Sequence, residues 1–173
     1  TTTATVGDIA FTAAQDVTGK LSTAKQDVLA KAGNDVALGT TSAGRDVNVD
    51  AGQDIALGTT DAGRDIVLKS GRNTRATTTT AGGTLTADAR GTLTLGSAQT
   101  KGDQTLTAQG DLTTTTLEST GGKIAATSET GTLKTGTTTA QAVALTAKAG
   151  SIDADTTTAT VGDIAFTAAQ DVT

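Results

Sequence analysis

Positions nineteen residues apart carry the same kind of side chain along most of this chain. An acidic residue followed by Val or Ile recurs with spacings that alternate between 8 and 11 residues. The series consists of Asp8, Asp16, Asp27, Asp35, Asp46, Asp54 and Asp65, and it continues through Asn73, Thr84, Thr92, Asp103 and Asp111. A fixed period of this length indicates a repeat architecture in which each period forms one structural unit.

The residues that follow each acidic position alternate between apolar and polar side chains, as in residues 28–32 and 47–51. Such alternation predicts short strands with one inward and one outward face. We therefore predict an all-β fold, a right-handed parallel β-helix (β-solenoid) with about 19 residues per coil and eight to nine coils. An antiparallel sandwich would not require positions nineteen residues apart to share their chemistry.

Stacking the coils in register groups the inward residues into ladders. The predicted core ladder consists of Ile9, Val28, Val47, Ile66, Leu85, Ile124, Val143 and Ile164, with Gln104 as an interruption. A second inward ladder is formed by the small residues Ala13, Ala32, Ala51, Ser70, Ala89 and Ala108. The glycines just before the acidic positions are Gly7, Gly33, Gly44, Gly52, Gly63 and Gly71. At these turns we expect either a positive φ or a close approach of two backbones.

The composition requires a narrow interior. The chain contains two Phe and no Trp, Tyr or Met, so Val, Ile, Leu, Ala and Thr must fill the core. The lack of Cys and His excludes a disulfide, a thiol nucleophile, a Ser–His pair and a zinc site of ordinary type, and we predict no cofactor. The net charge of −5 argues against nucleic acid as a partner. No segment has the roughly 18 apolar residues that a membrane span needs.

The sequence also contains a longer repeat in addition to the period of nineteen residues. Residues 156–173 are identical to residues 1–18, and the offset of 155 residues equals eight coils of nineteen plus three residues. We interpret residues 1–173 as a single β-solenoid segment of a longer protein. In this interpretation residues 1–155 form one long unit, and residues 156–173 begin the next identical unit. A duplicated terminal segment is the alternative interpretation.

The acidic column is the most prominent polar feature. We predict that Asp8, Asp27, Asp46, Asp65 and Asp163 cap turns by accepting hydrogen bonds from backbone N–H groups. The alternative is a column of carboxylates that binds calcium, but the GGxGxD signature of calcium-binding solenoids is absent. We therefore predict no metal site.

Two further functions are considered from the polar residues. Thr runs such as Thr40-Thr41 and Thr59-Thr60 follow the coil, and a regular outward Thr face would suit a surface that binds ice or glycans. Enzymes built on β-helices place paired carboxylates in a groove formed by long loops. Here the turns are short and aromatic platforms for sugars are missing, so we predict no catalytic residues and no enzymatic activity.

The coil motifs GQDIAL (52–57), GRDVNV (44–49) and GTLTL (91–95) resemble the repeat regions of filamentous haemagglutinin-type exoproteins. These are large proteins exported by bacterial two-partner secretion. The resemblance covers nearly all of the chain and is weakest from about residue 119 to residue 142. It implies a secreted or cell-surface location and a long β-helical fibre that serves in adhesion, biofilm formation or delivery of a distal effector.

From this resemblance we expect the chain to be a structural shaft of an extracellular bacterial fibre, an adhesin or a toxin-presenting exoprotein. Its expected partners are neighbouring repeats of the same chain, stacked coaxially, and a receptor on a host or bacterial surface. The alternative is a surface-binding module that uses the Thr or Asp ladders to hold ice or glycans.

Overall fold

The computed structural model describes residues 1–173, which form eighteen strands joined by short turns, without a helix. The odd-numbered strands are β1 (Thr2–Ala4), β3 (Val17–Ala24), β5 (Val36–Ala43), β7 (Ile55–Ala62), β9 (Thr74–Ala81), β11 (Leu93–Thr100), β13 (Leu112–Ser119), β15 (Leu133–Ala140) and β17 (Ile152–Ala159). The even-numbered strands are β2 (Ile9–Ala13), β4 (Val28–Ala32), β6 (Val47–Ala51), β8 (Ile66–Ser70), β10 (Leu85–Ala89), β12 (Gln104–Ala108), β14 (Lys123–Ser128), β16 (Ala142–Ala147) and β18 (Ile164–Ala168).

The strands form two parallel nine-stranded sheets, one from the odd-numbered and one from the even-numbered strands. Each strand pairs with the strand two places along the chain, as when Val28 pairs with Val47 and Val36 pairs with Ile55. A regular coil therefore contains a strand of five residues, a turn, a strand of eight residues and a second turn. The chain is a β-solenoid of about nine turns with about 19 residues per turn, which confirms the predicted fold class.

The eight-residue strands bend in the middle. In β5, Val36 and Leu38 point inward, Gly39 and Thr40 are both exposed, and the inward positions resume at Thr41. Two successive outward residues shift the inward–outward alternation by one position. Because the strand bends at the same point, the inward residues of both halves still face the axis of the solenoid. The solenoid consequently has three walls. Wall 1 is the even-numbered strands, and walls 2 and 3 are the first and last four residues of the eight-residue strands.

The inward residues of the three walls form one continuous core of 37 buried hydrophobic residues. In the predicted core ladder, every member from Ile9 to Val143 is at most 5% exposed. Ile164 pairs in register with Val143 in the last coil of the chain and is 45% exposed there. Its place in the core ladder stays a prediction.

Gln104 replaces an aliphatic residue in this ladder and is 1% exposed. Its Nε2 donates to the carbonyl oxygens of Glu118 at 2.7 Å and Ala98 at 3.2 Å, and to Thr100 Oγ1 at 3.3 Å. The buried amide group thus links wall 1 to the carbonyl groups of wall 3. These hydrogen bonds satisfy the amide donor in the core, while Gln104 Oε1 is buried without a hydrogen-bond partner.

Close approach of successive coils explains the turn glycines. No glycine in the chain has a positive φ, so that part of the expectation is wrong. A Cβ added to Gly52 would instead collide with the carbonyl oxygen of Gly33, which occupies the same position one coil earlier. Gly7 is the exception, because nothing lies within 4 Å of an added Cβ there.

Changes in coil length are confined to the turns. Gln104 pairs with Ile124 and Leu112 pairs with Leu133, so the extra residues lie between strands and the strand pairing continues through them. In these longer turns a serine supplies the missing acceptor: Gly122 N–H donates to Ser119 Oγ at 3.0 Å, and Gly131 N–H donates to Ser128 Oγ at 3.1 Å. The sequence reasoning did not identify these two serines.

The register makes a testable prediction at two adjacent residues. Val47 is fully buried between Val28 and Ile66, whereas Asn48 is exposed. Val47→Asp would place an unpaired carboxylate in the core and should lower the free energy of unfolding by about 3–5 kcal/mol. The control Asn48→Asp should change it by less than about 0.5 kcal/mol. Equal melting temperatures of the two variants would contradict this register.

Buried hydroxyl groups allow a second test. Thr60 is fully buried between Thr41 and Thr79, and its Oγ1 has no hydrogen-bond partner. Val has nearly the same shape, so Thr60→Val should leave stability unchanged or raise it by about 1 kcal/mol. The matched control is Thr100→Val, because Thr100 Oγ1 donates to Gly102 O at 2.6 Å. That variant should lose about 1–3 kcal/mol in urea denaturation. If Thr60→Val lowered the free energy of unfolding as much as Thr100→Val, the prediction that the Thr60 hydroxyl makes no hydrogen bond would be wrong.

Candidate functional site

The acidic column lies at the turn that precedes wall 1, and its carboxylates bond to the next coil. Asp8 Oδ1 accepts the backbone N–H of Asp27 at 3.0 Å, and Asp27 Oδ1 accepts that of Asp46 at 3.1 Å. Asp46 Oδ1 in turn accepts the N–H of Asp65 at 3.2 Å. The carboxylates therefore cap backbone N–H groups nineteen residues ahead, whereas an Asx turn would place the donor within the same turn.

A second column with the same geometry runs along the turn before wall 2. Asp16 accepts the N–H of Asp35 at 3.2 Å, and Asp35 accepts that of Asp54 at 3.0 Å. Asn73 takes over the role of the carboxylate, because its Oδ1 accepts the N–H of Thr92 at 3.0 Å. Asp163 lies in the last coil of the chain, and its capping role stays a prediction.

Asp65 accepts two hydrogen bonds from one residue of the next coil. Its Oδ1 accepts both the backbone N–H of Thr84 at 2.7 Å and the Thr84 hydroxyl at 2.8 Å. These two hydrogen bonds, with a smaller contribution from the charge of Arg64, lower the pKa of the Asp65 carboxyl, while burial opposes the shift. The ionised form of Asp65 is therefore stabilised in the folded state.

The lowered pKa predicts a specific pH dependence. A carboxyl whose pKa is lower in the folded chain contributes stability above its unfolded pKa of about 4, and the contribution is lost as the pH falls through the folded value. Asp65→Asn keeps an acceptor oxygen but cannot ionise. In urea denaturation the wild-type chain should be more stable than this variant at neutral pH, and the difference should shrink as the pH falls below about 4.

The control for this experiment is Asp65→Ala, which also removes the acceptor for Thr84 N–H. Its stability should stay below that of Asp65→Asn over the whole pH range, since an N–H group loses its partner at every pH. A wild-type advantage over Asp65→Asn that is the same at acidic and neutral pH would contradict the assignment.

Arginines in the same turns form ion pairs with aspartates of the first column, and each arginine lies one coil after its aspartate. Arg64 binds both oxygens of Asp46, with Nε 3.1 Å from Oδ1 and Nη2 2.6 Å from Oδ2, and this contact raises the pKa of Arg64. Arg45 Nε lies 3.6 Å from Asp27 Oδ1. Each of these arginines contacts the acid of the previous coil. Because the pairs are solvent-exposed, their contribution to stability is small.

The carboxylates are spread along the axis and do not converge on one point. No group of three or more Asp or Glu side chains is arranged to hold a metal ion. At least one oxygen of Asp8, Asp27 and Asp46 is occupied by a backbone N–H group. This arrangement supports the interpretation of the column as part of the hydrogen-bonding framework.

The Thr runs divide between the interior and the surface. Thr40 is exposed and Thr41 is buried, and the pair Thr59 and Thr60 divides in the same way. The two outward positions of wall 3, in order along the axis, are Leu21 and Thr23, Thr40 and Ser42, Thr59 and Asp61, Thr78 and Thr80, Ser97 and Gln99, Thr116 and Glu118, Thr137 and Thr139, and Thr156 and Thr158. Hydroxyl pairs of the Thr-x-Thr type therefore occur in only some coils, and acidic residues interrupt them. The outward face is not a continuous threonine array.

The surface hollows are shallow and polar. One of about 550 Å³ lies at the corner after wall 3 and is lined by residues that include Thr80, Gln99, Lys101 and Glu118. Another of about 300 Å³ lies beside wall 1 and includes Asp50, Lys69, Asp88 and Arg90. Ala51 and Ser70 of the small-residue ladder also line the second hollow, and a third hollow of about 330 Å³ is lined by residues that include Asp8, Ile9, Asp27, Val28 and Asp46. The sequence reasoning also did not identify the charged residues of the second hollow as a group.

The chain matches no protein-family model, no curated protein and no solved structure. No helix that could cross a membrane is present in the structure.

Proposed function

We propose that this chain is a segment of the structural shaft of a long extracellular bacterial fibre. The observation that carries the proposal is the continuity of the stacking from the first coil to the last. Residues 156–173 have the sequence of residues 1–18 and occupy the same position within a coil: Ile164 pairs with Val143 in wall 1, and Val172 bridges to Ile152 at the start of wall 2. The next unit can thus continue the same solenoid.

The internal bonding also suits a rod. Of 133 backbone–backbone hydrogen bonds, 87 lie within the two sheets, and those sheets pair along the axis. Each of the six ion pairs also joins adjacent coils, as Lys134 and Asp153 do at 2.6 Å. Because load along the axis is shared by many such bonds, the coils form a stiff element that can hold a distal group away from a surface.

The biological context of the proposal comes from the sequence motifs. Their resemblance to filamentous haemagglutinin-type exoproteins supports export by two-partner secretion and a role of the whole fibre in adhesion or in presenting an effector. In this proposal the chain contributes length and stiffness, and the contact with a receptor belongs to another part of the fibre. The residues that matter are therefore those of the core and capping columns.

Extension of the chain tests the proposal. A second copy of residues 19–173 placed after Thr173 should stack on the last coil and lengthen the rod by roughly 38 Å at constant width, from a strand spacing of 4.7–4.9 Å. Small-angle X-ray scattering measures both dimensions. The control carries a flexible Gly/Ser linker between the two copies. If the scattering curve of the extended chain instead matched two flexibly linked bodies, as expected for the control, the proposal of a continuous shaft would be wrong.

The second candidate is a binding module that uses the hydroxyl groups of wall 3. The Thr-x-Thr pairs at Thr137 and Thr139 and at Thr156 and Thr158 favour it, whereas Asp61 interrupts the face. Replacing Thr137, Thr139, Thr156 and Thr158 by Ala distinguishes the two functions. A shaft should keep its length and melting temperature, while a binding face should lose retention on immobilised glycans or adsorption to ice.

A further inference from the structure

The outer face of wall 1 carries a column of alternating charge. The second-to-last residue of each even-numbered strand points outward, and the column in axial order is Thr12, Lys31, Asp50, Lys69, Asp88, Thr107, Thr127, Thr146 and Thr167. The strand register places Asp50 directly between Lys31 and Lys69, and Lys69 directly between Asp50 and Asp88. Four successive coils therefore present the signs plus, minus, plus and minus, with uncharged threonines on either side.

Pairing within the chain leaves part of this column unused. Lys31 Nζ lies 3.6 Å from Asp50 Oδ2, and the two side chains remain 64% and 48% exposed. Lys69 and Asp88 take part in no ion pair, and both are exposed. The charges of Asp50, Lys69 and Asp88 thus remain accessible beside the hollow of about 300 Å³ on this wall, where they can meet charges of another molecule.

The order of the signs makes the column complementary to itself. Reversal of plus, minus, plus, minus gives the opposite sign at every position. If a second copy faces wall 1 with its axis reversed, Lys31 lies opposite Asp88 of that copy, and Asp50 lies opposite its Lys69. The two-fold axis then passes between the coils of Asp50 and Lys69, and each contact occurs twice, as in any isologous interface.

The second outward column of wall 1 fits the same arrangement. It contains Leu29, Asn48, Val67 and Thr86 in the four charged coils, and Leu29 is a 41% exposed hydrophobic residue. In the reversed pairing Leu29 lies opposite Thr86 of the second copy, and Asn48 lies opposite its Val67. Two copies running in the same direction would instead set the charged column against the Leu29 column, which leaves the charges unpaired.

We propose that wall 1 is a self-association surface on which a second copy of this chain docks side by side in the antiparallel direction. The overlap runs from the coil of Thr12 to the coil of Thr107. With a strand spacing of about 4.8 Å and strands about 16 Å long, it covers roughly 460 Å² per copy. Since this area is at the lower end for specific complexes, the dimer is weak and depends on electrostatic attraction. The inference goes beyond the proposed shaft and does not depend on it.

Salt dependence is the first test. Sedimentation velocity of the wild-type chain should show a monomer–dimer equilibrium at about 20 mM salt, and the dissociation constant should rise at least about tenfold at about 500 mM salt. Association through the exposed apolar groups of the terminal coils would respond weakly to salt. A chain that is monomeric at low salt and high concentration, or whose association is insensitive to salt, would overturn the proposal.

Charge variants separate contacts between molecules from contacts within one. Asp50→Lys with Asp88→Lys makes the column uniformly positive, and Lys31→Asp with Lys69→Asp makes it uniformly negative. Each variant alone should be monomeric, and an equimolar mixture should form heterodimers. Uniform columns repel within each chain in both samples, so recovery on mixing can only come from contact between chains. A mixture that stays monomeric would contradict the interface.

The matched control reverses all four charges, with Lys31→Asp, Asp50→Lys, Lys69→Asp and Asp88→Lys in one chain. This column still alternates, so it should dimerise with itself as the wild-type chain does. Circular dichroism verifies the fold of each variant. If the uniformly positive variant does not fold, Asp50→Lys alone replaces it, because it sets two like charges opposite each other at the centre of the dimer. A dissociation constant of that variant equal to the wild-type value would also refute the proposal.

Discussion

Hydrogen bonding between a residue and its counterpart one coil later is the interaction on which the structure depends. Every wall is a parallel sheet, so each coil must offer its N–H and C=O groups to its neighbours at matching heights. The side chains follow from this constraint, because residues in the same column share one environment. Buried columns are aliphatic or small, and the turn columns carry Asp or Asn that accept the N–H groups left free between strands.

The period made most of the fold predictable. It fixed which residues share a column, and this was sufficient to place Val47 inside and Asn48 outside. It was not sufficient to find the bend at Gly39 and Thr40, because simple alternation does not show where a strand changes phase. Because of this bend, one residue of each Thr pair is buried and the other is exposed, whereas the sequence alone suggested that both face outward.

The site residues were predictable in type and less so in geometry. A column of Asp beside turns indicates acceptors of backbone N–H groups, but residue type alone does not tell whether the donor lies in the same turn or in the next coil. The distinction arises from the three-dimensional spacing of the coils, as the contact of Asp27 with Asp46 shows. Ser119 and Ser128 were missed for a related reason: their role exists only where a turn gains a residue.

The carboxylate columns also give the solenoid a chemical polarity. Each carboxylate accepts a hydrogen bond from the coil that follows it, so the edge of a coil that faces the C-terminal end carries carboxylate acceptors, and the opposite edge carries the matching N–H donors. The first of these is the upper edge. A strand that pairs with the upper edge out of register leaves carboxylates without a donor, which is unfavourable. The in-register next coil brings an N–H group to each of these positions. The two ends of a stack of coils are therefore not equivalent, and the carboxylates favour one register at the upper edge.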